Sequence, residues 1–219
     1  MEQQRLRITF AKGARLRYIS HLDLALAWER ALRRAAIPLA YSQGHNPQAR
    51  LQLASGLPLG YTGSAEVMDA ILSAPIPLDE FGQRVRPALP DGLVLVGVEE
   101  VEAKSPALQP ALRQAVYRVT VETALAGDEL ARRIGELLAA DRLTQQRVRK
   151  QRVETFDLRP LLHDVWLEAV EEGQASLGMR LSAGQQGNVR PDAVLAALGL
   201  EYAYAQVERA QLLFEFDNN

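Results

Sequence analysis

Three histidines are the only imidazole groups that this chain offers for acid–base or metal chemistry. They are His21, His45 and His163, and no two of them have the short spacing of a metal-binding motif. The chain has no cysteine, so disulfides, thiol nucleophiles and a thiolate-held iron–sulfur cluster are excluded within it. A metal centre is therefore not expected, and chemistry by this chain alone would use histidine as a general acid or base.

The segment YSQGHNPQAR, residues 41–50, combines His45 with many hydrogen-bonding side chains. Gly44 and Pro47 predict an irregular turn here, and loops on a rigid scaffold commonly carry binding and catalytic residues. The mixture suits recognition of phosphate, sugar or base edges, and it also suits a polar protein interface or a simple strand connection. The predicted binding residues of this loop are Tyr41, Ser42, Gln43, Gly44, His45, Asn46, Pro47 and Arg50.

Positive charge is concentrated in two runs without acidic residues, although the formal net charge of the chain is only −2. The first run extends from Arg5 to Arg17, and the second extends from Arg142 to Arg152. Such runs indicate local contacts with phosphate, but at a sheet edge they also prevent unwanted strand pairing. The predicted RNA- or partner-binding residues outside the loop are Arg15, Arg17, Arg147, Arg149, Lys150, Arg152 and Arg159.

The elements that would position these residues begin with a strand and a helix. Residues 5–10 alternate basic or polar with apolar side chains, which predicts a half-buried strand with one basic, solvated face. Ser20 and Asp23 have the spacing of a capping box and predict the start of an amphipathic helix. The positions predicted to form the buried face of this helix are Leu24, Trp28, Ala31, Leu32 and Ala35.

The order strand, helix, strand, strand, helix, strand is predicted twice along the chain. The first set occupies residues 1–103, the Pro-containing segment 104–114 is the predicted linker, and the second set occupies residues 115–219. In the second set, residues 145–162 are predicted as one strand-like region. This order predicts an α+β protein made of two tandem ferredoxin-like (βαββαβ) domains, with one face of each sheet available to a partner.

Several segments taken together resemble the radical SAM-linked protein family. The segments are SHLDL, ALRRA, PLAYSQG and LPLG in the first half, and FDLRPLL and VRPDAVLAAL in the second half. The family is an uncharacterised domain fused to, or encoded beside, cobalamin-binding radical SAM proteins, and the resemblance spans nearly the whole chain. It implies a cobalamin-binding radical SAM partner that carries the iron–sulfur cluster, S-adenosylmethionine and cobalamin, with no cofactor in this chain.

The resemblance and the basic runs predict an accessory module that presents an RNA, ribonucleoprotein or ribosome-related substrate to that partner. One alternative is a metal-independent endoribonuclease, because the tandem fold is similar to that of CRISPR repeat-processing enzymes. Its catalytic candidates would be His45, His21 and Tyr41. The other alternative is a protein–protein scaffold. No apolar run is long enough to span a membrane and no signal-peptide core is present, so a cytoplasmic protein without membrane contact is expected.

Overall fold

The computed structural model describes residues 3–149 and 152–216, except for the side chains of residues 147–149 and 152, and it has an α+β fold. The chain divides into two compact units. The first unit contains the described residues up to Leu112 together with those from Phe214 onward, and the second unit is Arg113–Leu213. Within this described part, the helices are too short or too polar to cross a membrane.

The first unit has strands and helices in the predicted order along the chain. Its elements are β1 (Gln4–Lys12), α1 (His21–Arg34), β2 (Leu51–Leu53), β3 (Thr62–Leu72), α2 (Leu78–Val85), β4 (Leu93–Val101) and α3 (Leu108–Ala111). β1 pairs antiparallel with β3 on one side and with β4 on the other, and β2 pairs antiparallel with β3. The strand order is therefore β4-β1-β3-β2.

The core of the first unit contains one face of β1 and the apolar face of α1. Leu6, Ile8 and Phe10 of β1 are fully buried, because alternate residues of a strand point to the same side. Trp28 of α1 packs edge-on against Phe10, with ring centroids 5.0 Å apart. The helix positions predicted to be buried are all buried, as the helical spacing of their apolar residues requires. Truncating an aromatic residue in such a core costs about 3–5 kcal/mol.

The predicted capping box at the start of α1 is confirmed. Ser20 Oγ accepts a hydrogen bond from the Asp23 backbone N–H at 3.1 Å, and the Asp23 carboxylate accepts one from the Ser20 N–H at 3.4 Å. The helix ends at Arg34, and Ala36 then adopts a left-handed conformation with a φ of 51°. The chain therefore leaves the helix before Pro38, whose ring is incompatible with a helix interior.

The prediction of a basic, solvated face on β1 is wrong. Arg5 and Arg7 do lie opposite the core face, but their side chains are only 9% and 12% exposed. Both bind the carboxylate of Asp69 on β3. Arg5 also donates to the carbonyl oxygens of Ser105 and Pro106, which follow β4. This sheet face is therefore partly covered by its own chain, and a buried cation there requires a buried anion.

The segment predicted as a linker, residues 104–114, packs on the first unit. Leu108 and Ala111 of α3 are buried. The carbonyl oxygen of Ala111 accepts a hydrogen bond from the N–H of Glu215 at 2.8 Å, so the described end of the chain returns to the first unit. The observed second unit therefore ends before the predicted second domain, residues 115–219.

The second unit repeats the alternation of strands and helices and adds a hairpin. Its elements are β5 (Leu112–Glu122), α4 (Gly127–Ala139), β6 (Thr144–Arg149), β7 (Arg152–Asp157), β8 (Leu162–Glu171), β9 (Gln174–Ser182), α5 (Pro191–Ala197) and β10 (Ala205–Phe214). Four of these strands follow the order β10-β5-β9-β8 among the described residues, and β9 pairs antiparallel with both β5 and β8. β6 and β7 form a separate two-stranded antiparallel sheet.

The prediction of one strand over residues 145–162 is wrong, because this stretch contains most of β6, all of β7 and the first residue of β8. Polar residues occupy both faces of the hairpin, so alternation of polarity gives no sign that the chain reverses. β8 itself was not predicted. Its register shifts between Leu162 and Asp164, and again between Leu167 and Ala169, and these irregularities break the alternating pattern that marks a strand.

Candidate nucleic-acid interface

Two arginines of the first basic run share a buried carboxylate of the first unit. Arg5 Nη2 lies 2.6 Å from Asp69 Oδ2, and Arg7 Nε lies 3.0 Å from Asp69 Oδ1. The Asp69 side chain is only 3% exposed, so these ion pairs are shielded from solvent. The guanidinium of Arg7 also lies 4.9 Å from the centre of the Phe216 ring. These two arginines therefore hold the unit together and are not presented to a ligand.

The rest of the first run is divided between buried and exposed positions. Lys12 is buried, and its Nζ lies 3.3 Å from the carbonyl oxygen of Arg17. Arg15 is well exposed and pairs with Asp91 at 2.6 Å, in a contact that solvent weakens. The guanidinium of Arg17 lies 4.8 Å from the ring centre of Tyr18, which is 70% exposed. Of the predicted binding residues here, Arg17 therefore belongs to a cation–aromatic surface and Arg15 to a solvent-exposed ion pair.

The loop of residues 41–50 projects into solvent from an ordered base. Ser42 N–H donates to the Gln48 carbonyl oxygen at 2.9 Å, and Gln48 N–H donates to Ser42 Oγ at 3.0 Å. At its start, Tyr41 and Ala49 form an isolated antiparallel bridge. Residues 41–48 are all exposed. The two hydrogen bonds therefore hold a short turn whose side chains face solvent.

The tip of this loop contains Gly44, His45, Asn46 and Pro47. Gly44 has a φ of 134°, which favours glycine, and a Cβ added there would contact nothing within 4 Å. Gly44 is therefore needed for backbone conformation and not for close packing. The guanidinium of Arg50, at the far end, donates to the side-chain oxygen of Gln3 at 3.1 Å.

The three catalytic candidates are not brought into a catalytic arrangement. His45 and Tyr41 are exposed on the loop, whereas His21 begins α1 and its ring lies beside Gly56, where an added Cβ would be 3.8 Å from Nδ1. In the described ranges, no hydrogen bond joins any of these three side chains to a carboxylate. The described residues also contain no group of three or more side chains suited to hold a metal ion. In the described part of the chain, these three side chains therefore do not form a proton relay.

In the second basic run, Arg149 is the last residue of β6 and Arg152 is the first residue of β7. The register places Arg149 opposite Arg152, and it places Arg147 opposite Glu154. Lys150 lies outside the described residues, between the two strands in sequence. Directly opposite like charges on neighbouring strands repel each other. The register therefore pairs two arginines at one end of the hairpin.

The base of the hairpin is held by Asp157 and Arg159. Asp157 Oδ1 accepts hydrogen bonds from the backbone N–H groups of Leu143 at 2.8 Å and of Arg159 at 3.0 Å. The hydrogen bond from Leu143 is the largest cause of a lowered pKa at Asp157, and the bond from Arg159 is the next largest. The half-buried Arg159 guanidinium donates to the carbonyl oxygens of Ala140 and Leu162. Arg159, predicted as a binding residue, thus anchors the hairpin.

One exposed surface of the second unit was missed from the sequence. On the open face of its sheet, Trp166 of β8 lies across Gly178 of β9, where a Cβ would come within 1.9 Å of the indole Cε2. Arg118 of β5 and Arg180 of β9 lie on the same face. The glycine inside the strand sequence SLGMRLS could have indicated this surface, because glycine in a strand interior often marks a close approach by another group.

The comparisons with known proteins show a fold and a family. No curated protein matches this chain. A crystal structure of a Cbf5-Nop10-Gar1 complex contains a chain that matches 94% of this one with 11% identity and a TM-score of 0.55, over 48% of its own length. The structure of an H/ACA RNP bound to a substrate RNA containing 2'-deoxyuridine matches 94% of this chain with 10% identity and a TM-score of 0.49, over 47% of its own length.

The first of these likenesses shows a shared fold alone, and this chain spans about half the length of each matched chain. The match to a family is of a different kind, because it follows the sequence of the chain itself. It runs over residues 5–191, which include most of β1, the exposed loop and the hairpin. The chain therefore belongs to the DUF2344 family of uncharacterised proteins conserved in bacteria.

Proposed function

We propose that this protein is a binding module that holds RNA for a cobalamin-binding radical SAM enzyme and catalyses no reaction alone. The partner is proposed from the resemblance of SHLDL, PLAYSQG and the other quoted segments to the radical SAM-linked family. The cysteine-free sequence supports this division of labour, because the iron–sulfur cluster would have to be held by the partner's thiolates. In this role, substrate binding belongs to this chain and radical chemistry to the enzyme.

The observation that carries RNA binding is the charge at the end of the β6–β7 hairpin. Arg149 and Arg152 are register partners, and Lys150 lies next to Arg149 in the sequence. A polyanion can bind such a run of cationic residues, and the release of counterions from the nucleic acid adds to the affinity. A two-stranded ribbon is also narrow enough to follow a nucleic-acid groove or strand.

The loop of residues 41–50 supplies a second, separate RNA contact in this proposal. Its amide, hydroxyl and imidazole groups can reach base edges and the ribose 2′-OH, which arginine contacts to phosphate do not read. The pair of hydrogen bonds between Ser42 and Gln48 holds the turn in place before binding. This preorganisation lowers the entropy cost of recognition.

We further assign both units to the ferredoxin-like class. The orders β4-β1-β3-β2 and β10-β5-β9-β8 are equivalent when the strands of each unit other than β6 and β7 are numbered along the chain. In this assignment, the β6–β7 hairpin is an insertion between the first helix and the second sheet strand of the second unit. Sheets of this class are used in other proteins to bind single-stranded RNA, which makes the assignment compatible with the proposed role.

Fluorescence anisotropy with a labelled RNA stem–loop, at low and at high salt, tests the hairpin. We expect Arg149→Gln with Arg152→Gln to weaken binding and to reduce the salt slope by about one for each arginine that contacts a phosphate. The matched control is Arg30→Gln with Arg33→Gln, which removes the same charge from the exposed face of α1. The proposal fails if the parent shows no salt-sensitive binding, alone or with its partner, or if both double variants lose the same affinity.

End-labelled RNA incubated with the protein and a chelator tests the claim that this chain does not cleave its ligand. We expect the RNA to remain intact. Cleavage that disappears in His45→Ala or His21→Ala would replace the binding-only role with endoribonuclease activity. Tight co-purification with the radical SAM partner, combined with no RNA affinity in either protein or in the complex, would identify a protein scaffold instead.

A further inference from the structure

The most fully formed exposed aromatic site in the second unit is built on Trp166. A Cβ placed on Gly178 would lie 1.9 Å from Cε2, 2.0 Å from Cζ2 and 2.4 Å from Nε1 of this indole, so the ring lies against the glycine backbone. Nε1 donates a hydrogen bond to Glu168 at 3.2 Å. The residue nevertheless remains 38% exposed. One side of the indole is therefore fixed against the sheet, and the ring keeps solvent-accessible surface.

The open sheet face around this tryptophan is predominantly acidic. Ser176, Gly178 and Arg180 of β9 define the face, because they alternate with fully buried Leu177 and Met179. Register and side-chain contacts place five carboxylates on it against two guanidinium groups. The carboxylates belong to Glu122, Asp164, Glu168, Glu171 and Glu208, and the guanidinium groups belong to Arg118 and Arg180.

Both arginines on this face have a carboxylate nearby. Arg118 Nη1 lies 3.3 Å from Glu208 Oε1, and Arg180 Nη2 lies 3.9 Å from Asp164 Oδ2. Their positive charge is therefore partly compensated, whereas the acidic excess remains. The negative charge of this face would repel a phosphate backbone. Grooves that bind single-stranded nucleic acid instead combine aromatic rings with net positive charge. The face suits a cationic ligand better than RNA.

We infer that the Trp166 face binds an arginine side chain from a basic segment of a protein partner. A guanidinium is planar, weakly hydrated and permanently charged, so it can stack on an exposed indole face and be attracted by the ring electrons. Trp is the most favourable aromatic residue for this contact, and the surrounding carboxylates complement the charge of the segment. This protein-binding site goes beyond the proposed RNA contact and uses none of its residues.

Tryptophan emission of the complete chain reports on this site directly. The chain has only two tryptophans, and the other, Trp28, is fully buried in the first unit. The probe is a blocked peptide, Gly-Arg-Gly-Arg-Gly, compared with the same peptide carrying citrulline in place of arginine. Citrulline preserves the planar shape but removes the charge. We expect the arginine peptide to shift the emission and to bind roughly two- to thirty-fold more tightly than the citrulline peptide.

Substitutions measured by calorimetry locate the binding. We expect Trp166→Leu to abolish the preference for arginine, Trp166→Phe to retain part of it, and Glu168→Gln to weaken it in a salt-dependent manner. Tyr202→Ala is the matched control, because Tyr202 is 96% exposed in the same unit but lies outside the strands of this face. Its binding should equal that of the parent.

Several results would overturn the inference. Equal affinity for the two peptides, or no emission change with millimolar arginine peptide, would remove it even if the Trp166 variants failed to fold. An emission change with oligouridylate but not with the peptide would identify a base-stacking surface instead. These outcomes are independent of the Arg149 and Arg152 anisotropy experiment, so failure of this site and failure of the proposed RNA contact can be distinguished.

Discussion

The two acid-free basic runs look alike in the sequence but have different neighbours in the structure. In the first unit, Arg5 and Arg7 lie on the central strand β1 and are bound by the buried carboxylate of Asp69. In the second unit, Arg149 and Arg152 are register partners in a two-stranded hairpin. The residues of a cationic run therefore do not fix its neighbours, which depend on the strand that pairs with it.

The ion pairs of Arg5 and Arg7 follow from their loss of solvent access. A guanidinium on a covered sheet face loses hydration, and it is stable there only if an anion and hydrogen-bond acceptors replace the water. Asp69 and the carbonyl oxygens of Ser105 and Pro106 meet this need for Arg5.

The largest expected effect is the loss of Asp69. Asp69→Ala leaves two buried guanidinium groups without their anion, and breaking a buried ion pair from one side costs about 3–5 kcal/mol. Urea unfolding measures this change in the free energy of unfolding. The control is Asp91→Ala, whose exposed partner is Arg15 and whose cost should be at most about 1 kcal/mol. Equal costs for the two variants would mean that the first run is not structurally neutralised.

The hairpin arginines should give the opposite result. Arg149→Gln with Arg152→Gln removes a like-charge pair, so the free energy of unfolding should stay constant or rise by a few tenths of a kcal/mol. RNA affinity, measured on the same sample, should fall. Stability and binding would then change in opposite directions. A loss of stability comparable to that of Asp69→Ala would show that these arginines are also structural, and would abolish the contrast.

A smaller, local effect is expected at the base of the hairpin. Asp157→Asn removes the charged acceptor of the Leu143 and Arg159 N–H groups, so these two amides should exchange with deuterium faster. The lowered pKa of Asp157 sets the sign of the pH dependence. The stability that ionised Asp157 gives the folded protein is complete above the ordinary pKa of an aspartate. It is lost as pH falls through the lowered pKa of Asp157 in the folded protein. Asp141→Asn is the control, and unchanged exchange in Asp157→Asn would argue against the anchor.

The smallest effect concerns His163 of β8, whose Nε2 lies 2.9 Å from Ser182 Oγ. Partial burial, followed by the nearby Arg180 and Arg159 charges, lowers the pKa of His163. The unfolded chain therefore binds a proton more readily, and stability should fall as pH decreases from about 7 towards 5. His163→Gln should flatten this part of the stability curve. An unaltered slope would show that burial and the nearby arginine charges do not lower the pKa of this residue.

Much of the fold could be predicted from local patterns. The capping box of Ser20 and Asp23 and the buried face of α1 were correct, because helix starts and helix faces depend on residues within a few positions of one another. The hairpin and β8, in contrast, could not be predicted from the sequence. Their polarity patterns are interrupted by polar residues on both faces and by register shifts, which only pairing with a neighbouring strand defines.

The candidate site was predicted unevenly for the same reason. The loop of residues 41–50 is exposed, as its Gly, Pro and polar composition suggested. Burial of Arg5 depends on Asp69, which lies 64 residues away, and no local pattern connects them. The surface around Trp166 could not be predicted from the local sequence either, because the indole lies against Gly178 of the adjacent strand.

The absence of cysteine, the position of the donor-rich turn and the presence of two cationic runs follow from the amino-acid sequence. Those properties belong to residue types and to short stretches of chain, which no fold can change. The folded chain is needed to know that Asp69 binds Arg5 and Arg7, that Trp166 is the more exposed tryptophan and that Arg159 anchors a hairpin. Each of these outcomes depends on strand register, because register determines which distant charge or side chain becomes a neighbour and whether water remains between them.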